Sequence, residues 1–214
     1  MKRLPIAVCL LLALGPTSGP GRAEAKVWAA GGLTFSDERG GFRLISVSGR
    51  GSIEDPIVIV EELTGVDPVV LVVRGARDRA PGAGTDSRVM TGPPILYLAV
   101  IKIVLNRSRR VWGGFDLELQ QELGKPSPYG DGLSFDQTGG FGAGLHSDRF
   151  AINRQLFEPY DRVRFQSGSV DPGAQVRFRF FITDPTPVQE FYLLQEPRLL
   201  MAGGPRGTVS VAER

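Results

Sequence analysis

The stretch from Gln175 to Thr183 alternates strictly. Val176, Phe178, Phe180 and Ile182 fall on one side of an extended chain, and Arg177 and Arg179 fall on the other. A period of two is what a strand with one dry and one wet face requires, and it does not fit the 3.6-residue period of an amphipathic helix. Arg162-Val163-Arg164-Phe165 repeats the pattern, and Phe115-Asp116-Leu117-Glu118-Leu119-Gln120 repeats it with acids outward. Ile57–Leu63 and Val69–Val73 run chiefly through β-branched residues, as does Ile95–Leu105, where Lys102 is the interruption. Runs apolar on both sides predict central strands covered on both faces. Phe191–Leu194 reads as a late strand of the same core.

The best helical spacing is Phe115, Leu119 and Leu123, four apart, but the alternation through Leu119 and the preceding Gly113-Gly114 favour a strand there. The 28 Gly and 16 Pro, about a fifth of the 214 residues, cluster between the apolar runs as turn formers do. Short strands separated by such turns predict an all-β fold, an antiparallel β-sandwich of jelly-roll or immunoglobulin-like type, with a β-barrel as runner-up. Asp55-Pro56, Asp67-Pro68, Asp171-Pro172 and Asp184-Pro185 mark strand edges, since proline withholds a donor and biases the preceding residue away from the helical region. The first two introduce similar runs and predict a two-strand meander joined through Thr64-Gly65-Val66. Residues 26–200 are expected to form a single domain. The polar stretch Arg74–Pro93 would be a long loop or internal boundary, and 201–214 a flexible tail.

Residues 1–25 read as an export signal. Lys2 and Arg3 form a basic start, Ile6–Leu14 an apolar segment too short to span a bilayer, and Ala23-Glu24-Ala25 an A-x-A cleavage site. This predicts cleavage after Ala25, a secreted or periplasmic protein and no transmembrane segment in the mature chain. Cys9 lies in the leader, so disulfides contribute nothing beyond it.

Charge narrows the partners. The formal balance is +2, but Lys2, Arg3 and Arg22 against Glu24 account for it, and from Lys26 onward acids and bases stand at 22 each. A neutral mature chain offers no bulk electrostatic case for nucleic acid. With one histidine, His146, and no G-x-S-x-G elbow, the sequence supplies neither a nucleophile–base pair nor a zinc ligand set. Gly139–Gly144 lacks the spacing of a phosphate-cradling loop and reads as a surface loop. One cation is in play: Asp131 and Asp136 in a Gly-rich turn, with Asp148 further along, are candidate calcium ligands, although Asp-Gly is also a good turn sequence. Trp28, Trp112, Tyr129 and Phe141 are candidate glycan-stacking rings, although the place of Trp112 at a strand start favours the core for it. Arg177 and Arg179, with Arg162 and Arg164, would line a basic stripe on one sheet face, and His146 reads as a surface or turn histidine. Asp116 and Glu118 on a neighbouring strand would partly neutralise that stripe.

Residues 106–197 resemble β-sandwich modules of secreted bacterial surface and extracellular proteins. The resemblance rests on Asn106-Arg107-Ser108, Trp112-Gly113-Gly114-Phe115-Asp116-Leu117-Glu118-Leu119, Asp131-Gly132-Leu133-Ser134-Phe135, Asp161-x-Val163-x-Phe165, Val170-Asp171-Pro172-Gly173 and Phe191-x-Leu193-x-Gln195-x-Pro197. It implies a fold and a compartment, and it transfers no catalytic residue. The function expected is a non-enzymatic structural or interaction protein of the bacterial periplasm or exterior, serving an envelope or extracellular protein partner. The alternative is a carbohydrate-binding or carbohydrate-active module with a glycan partner.

Overall fold

A computed structural model describes residues 25–78, 96–128, 130–135, 144–156 and 161–200, with backbone alone over 152–156. The expected leader, the greater part of the 74–93 loop, the 201–214 tail and the positions Tyr129, Asp136 and Phe141 lie outside the described residues. Thirteen strands are described: β1 (Val27–Ala30), β2 (Leu33–Ser36), β3 (Phe42–Ser48), β4 (Ile57–Leu63), β5 (Val69–Arg74), β6 (Leu96–Asn106), β7 (Trp112–Gln120), β8 (Ser134–Phe135), β9 (His146–Ser147), β10 (Phe150–Leu156), β11 (Arg162–Val170), β12 (Gln175–Asp184) and β13 (Glu190–Leu199). Among the described residues there is no helix, and hence none long and apolar enough to cross a membrane.

The strands form two open sheets that share one core, not a closed barrel. The larger sheet runs β1-β2-β5-β13-β7-β11-β10 and the smaller β3-β4-β6-β12-β8, with β9 also on β12. The architecture is consistent with a sandwich. All pairs are antiparallel except β4 with β6, which is parallel, so the smaller sheet is mixed. The expected meander is corrected by the same topology. β4 and β5 do not pair; residues 64–68 carry the chain from one sheet to the other. Their similar Asp-Pro openings reflect a shared way of starting a strand, since each proline stands just before the first paired residue.

The alternation that defines β12 is realised as burial: Val176, Phe178, Phe180 and Ile182 are in the core, while Arg177 is exposed. Phe178 is the centre of an aromatic group, with ring centroids 4.7 Å from Phe165, 4.9 Å from Phe115 and 6.3 Å from Phe150. Three of those rings belong to the larger sheet, so one side chain joins the two layers. Trp112 packs onto this group at a tilt, its ring centroid 5.7 Å from that of Phe115. At the end of β6, Asn106 is buried with its amide satisfied: Nδ2 donates to the Arg110 and Val170 carbonyls, each at 2.9 Å, and Oδ1 accepts from the Ser108 amide and hydroxyl. That turn delivers Trp112 to the start of β7. Glycine is required at Gly49, where φ is +95° and a Cβ would overlap the Pro56 carbonyl oxygen.

Phe178→Ala removes the ring that three others pack upon. The expected loss is about 3–5 kcal/mol of unfolding free energy by urea titration; a loss below ~1 kcal/mol would place the core elsewhere.

Candidate functional site

The outer faces of the two sheets carry arginines in different electrostatic states. On the larger sheet, antiparallel register sets Arg164 opposite Asp116 and Arg162 opposite Glu118 on β7, while Glu196 on β13 faces Asp116 from the other side. Asp116, only 2% exposed, is gripped by three guanidinium groups: Arg162 at 2.6 Å, Arg164 at 2.9 Å and Arg198 at 2.9 Å. Arg162 also reaches Glu196 at 2.9 Å and Glu118 at 3.5 Å, and Arg198 reaches Glu196 at 3.1 Å. Three bases meet three acids, so this group is neutral and held in place. Burial opposes ionisation of Asp116, but the hydrogen bonds from Arg164, Arg162 and Arg198 outweigh it and hold the carboxyl below its ordinary range. The cross-strand neutralisation expected from the alternating charges is therefore present for Arg162 and Arg164.

Arg177 and Arg179 do not join them. They lie on β12 in the smaller sheet, because the chain changes sheets between β11 and β12, and the single four-arginine stripe is corrected to two separate groups. Here Arg179 stands directly opposite His146 on β9, and Phe178 opposite Ser147. His146 and Arg177 are exposed and Arg179 half-buried. Among the described residues neither arginine makes an ion pair. Asp148 is close by, but its Oδ1 accepts the backbone N–H of Arg177 at 2.8 Å, and its own N–H donates to the Arg177 carbonyl at 3.2 Å. Arg149 is anchored beside them, its Nε donating to the Gln175 carbonyl at 3.2 Å. The structure thus brings together His146, Arg177 and Arg179 and adds Arg149, which sequence reasoning missed. The signal available for it was the run His146-Ser147-Asp148-Arg149 beside a strand with outward arginines.

The remaining candidates part company. Trp112 is fully buried, so its ring packs the core and is not available for stacking on a glycan. Asp131 closes a turn: Oδ1 accepts the Leu133 N–H at 3.0 Å, Oδ2 accepts the Ser127 hydroxyl, and its carbonyl accepts from Thr186 at 3.1 Å. Thr186 follows the far end of β12 from Arg177, roughly 20 Å along an extended strand. Asp131 and Asp148 therefore sit at opposite ends of β12, and the calcium set is not assembled around them. Among the described residues no three His, Cys, Asp or Glu side chains gather as a metal-holding group. A third charged site involves Arg74, whose guanidinium forks onto Glu38 at 2.6 and 2.8 Å and also contacts Glu190. Those contacts hold the Glu38 carboxyl down at about 2.

The depressed Asp116 carboxyl fixes a sign. Its contribution is present above the unfolded-state value of about 4 and is lost as pH falls through its lower folded-state value. Asp116→Asn should therefore cost about 1–3 kcal/mol at pH 7, the arginines being partly solvated. The gap between variant and parent should close as pH drops below about 4 in denaturant titrations; a pH-independent gap would assign the loss to packing.

No protein-family model, curated protein or solved structure matches the chain, so its function rests on its own residues.

Proposed function

We propose that the chain is an exported, non-enzymatic β-sandwich that acts by binding an acidic face of an envelope or extracellular protein. The observation that carries this reading is the contrast between the two outer faces. Arg162, Arg164 and Arg198 are neutralised by Asp116, Glu118 and Glu196, whereas His146, Arg177 and Arg179 are grouped on neighbouring strands with no ion pair among the described residues. Exposed guanidinium groups on a rigid strand offer bidentate hydrogen bonds to carboxylates at little conformational cost. The 22-to-22 charge balance favours a local complementary contact over bulk attraction to a polyanion. The export reading rests on the sequence of residues 1–25.

Strand order supports a jelly-roll subtype for the framework. β5, β13, β7 and β11 are successive neighbours in one sheet, while β6, β12 and β8, with β9 beside β12, lie in the other. The chain passes from sheet to sheet at almost every connection from β4 to β13, as two interleaved Greek keys require. β1 to β4 and β10 then extend the sheets at their edges. Such a frame serves many unrelated functions, so the binding face carries the proposal and the frame does not.

The test is a crosslinking pull-down from the envelope fraction with the parent chain and with Arg177→Glu/Arg179→Glu. The expected result is a discrete partner captured by the parent, reduced at least about tenfold in the variant, and weakened by raised salt. Equal capture by both chains, or no capture by either, would remove the proposal. Arg164→Glu should lower stability through Asp116 yet leave capture by the folded fraction intact.

A further inference from the structure

The core holds a chemical group that the binding face does not use. Lys102 on β6 and Glu61 on β4 are both completely buried, with Nζ 2.6 Å from Glu61 Oε2. Gln195, equally buried, comes from β13 in the opposite sheet, and its Nε2 donates to the same Oε2 at 3.3 Å. One carboxylate oxygen therefore touches an amine nitrogen and a carboxamide nitrogen from two different sheets. Among the described residues, Glu61 Oε1, Gln195 Oε1 and Lys102 Nζ have no hydrogen-bond partner, Nζ being held by its ion pair with Glu61.

Each element of this group has a chemical consequence. Burial drives Lys102 towards the neutral amine, with the Glu61 carboxylate pulling the other way. A desolvated amine exposes a nucleophilic lone pair. A carboxylate within hydrogen-bond reach of both nitrogens is placed to take a proton from one and return it to the other. Glu61 Oε2 gathers both nitrogens onto one atom in a water-excluded site, which replaces a bimolecular encounter with an intramolecular one.

We propose that Lys102 and Gln195 condense into an intramolecular isopeptide bond, with Glu61 as the proton carrier. Lys102 Nζ attacks Gln195 Cδ, forming the new N–C bond, and Glu61 accepts the proton that Nζ sheds. The tetrahedral intermediate collapses by breaking the Cδ–Nε2 bond, and Glu61 protonates the departing nitrogen, which leaves as ammonia. A lysine amine and a glutamine carboxamide become a secondary amide and ammonia, with no change of oxidation state and no co-reactant. The product ties the smaller sheet to the larger through a bond closing the chain between residues 102 and 195. Beyond Cys9 the chain has no thiol, so no disulfide could make such a tie.

The intact mass of the purified full chain tests this, read against the N-terminus that a tryptic map of the same sample establishes. The expected mass is that of the sequence less one ammonia. Trypsin should fail to cut after Lys102, and residues 89–107 and 180–198 should appear as one branched peptide whose fragments join at Lys102 and Gln195. Glu61→Gln should show the full mass and normal cleavage after Lys102. A parent chain of full mass that trypsin cuts at Lys102 overturns the proposal. A loss of one water with Lys102 joined to Glu61 overturns the assignment of Gln195 as the electrophile. Ammonia loss that persists at this pair in Glu61→Gln overturns the role of Glu61. The parent's mass decides whether the bond exists even if that variant does not fold.

Discussion

The contact between Lys102 and Glu61 sets the terms for the smaller sheet. Taking two ionisable groups out of water costs several kcal/mol for each that stays charged, and only a close partner offsets it. In the parallel pairing Lys102 is registered with Ile59, and Glu61 lies two positions along on the same face, the diagonal at which a long side chain reaches its partner. A one-residue slip would turn Lys102 out and Ile101 in, and a two-residue slip would carry the Lys102 nitrogen away from the Glu61 carboxyl. An all-aliphatic β4 and β6 would tolerate the second error far better. The buried pair thus specifies a register that Val and Ile on both strands leave weakly defined, and Gln195 extends the constraint to the opposite sheet.

The fold class was legible because alternation in β12, β11 and β7 is a direct consequence of having one face in the core. The four Asp-Pro pairs were legible for a similar reason: a missing donor has only a few places to go, and all four stand at strand ends. Other features have no local signature. Which sheet a strand enters depends on contacts distant in sequence, so β4 and β5 looked like neighbours and Arg162 and Arg177 like members of one stripe. β1 and β2 were not recognised because four residues each are too few to display a period, and β3 because its register shifts between Leu44 and Ser46 and breaks the alternation. Lys102 was visible as an interruption in an apolar run. Its partners on two other strands were not.

The same logic governs the candidate site. That Asp116 and Glu118 would neutralise arginines of a neighbouring strand was legible because both strands alternate and antiparallel neighbours bring opposite charges into register; which arginines they meet was not. Arg198, the third group on Asp116, follows Pro197 in a strand whose register shifts between Arg198 and Leu199, and no periodicity announces it. On β12 the arginines alternate just as regularly, yet the strand residues registered with them are Ile101, Ile103 and His146, and the nearby Asp148 carboxylate is taken by the backbone N–H of Arg177. Identical local patterns therefore yield a neutral grid on one face and a cationic group on the other. The difference lies wholly in the neighbours that topology supplies.

In the function proposed above, that difference also separates stability from recognition within one molecule. The guanidinium groups around Asp116 spend their hydrogen-bonding capacity inside the sheet, where a nearly buried acid makes the contacts worth more than ordinary surface pairs. Those on β12 keep theirs for solvent, beside Phe181, whose ring stacks on Tyr97 at 5.6 Å with Ile53 against the pair. The stacked rings and the β9 pairing stiffen the strand that bears Arg177 and Arg179. A charged patch on a stiff strand loses little conformational entropy when a partner orders it, and this is the property that distinguishes a recognition surface from a merely solvated one.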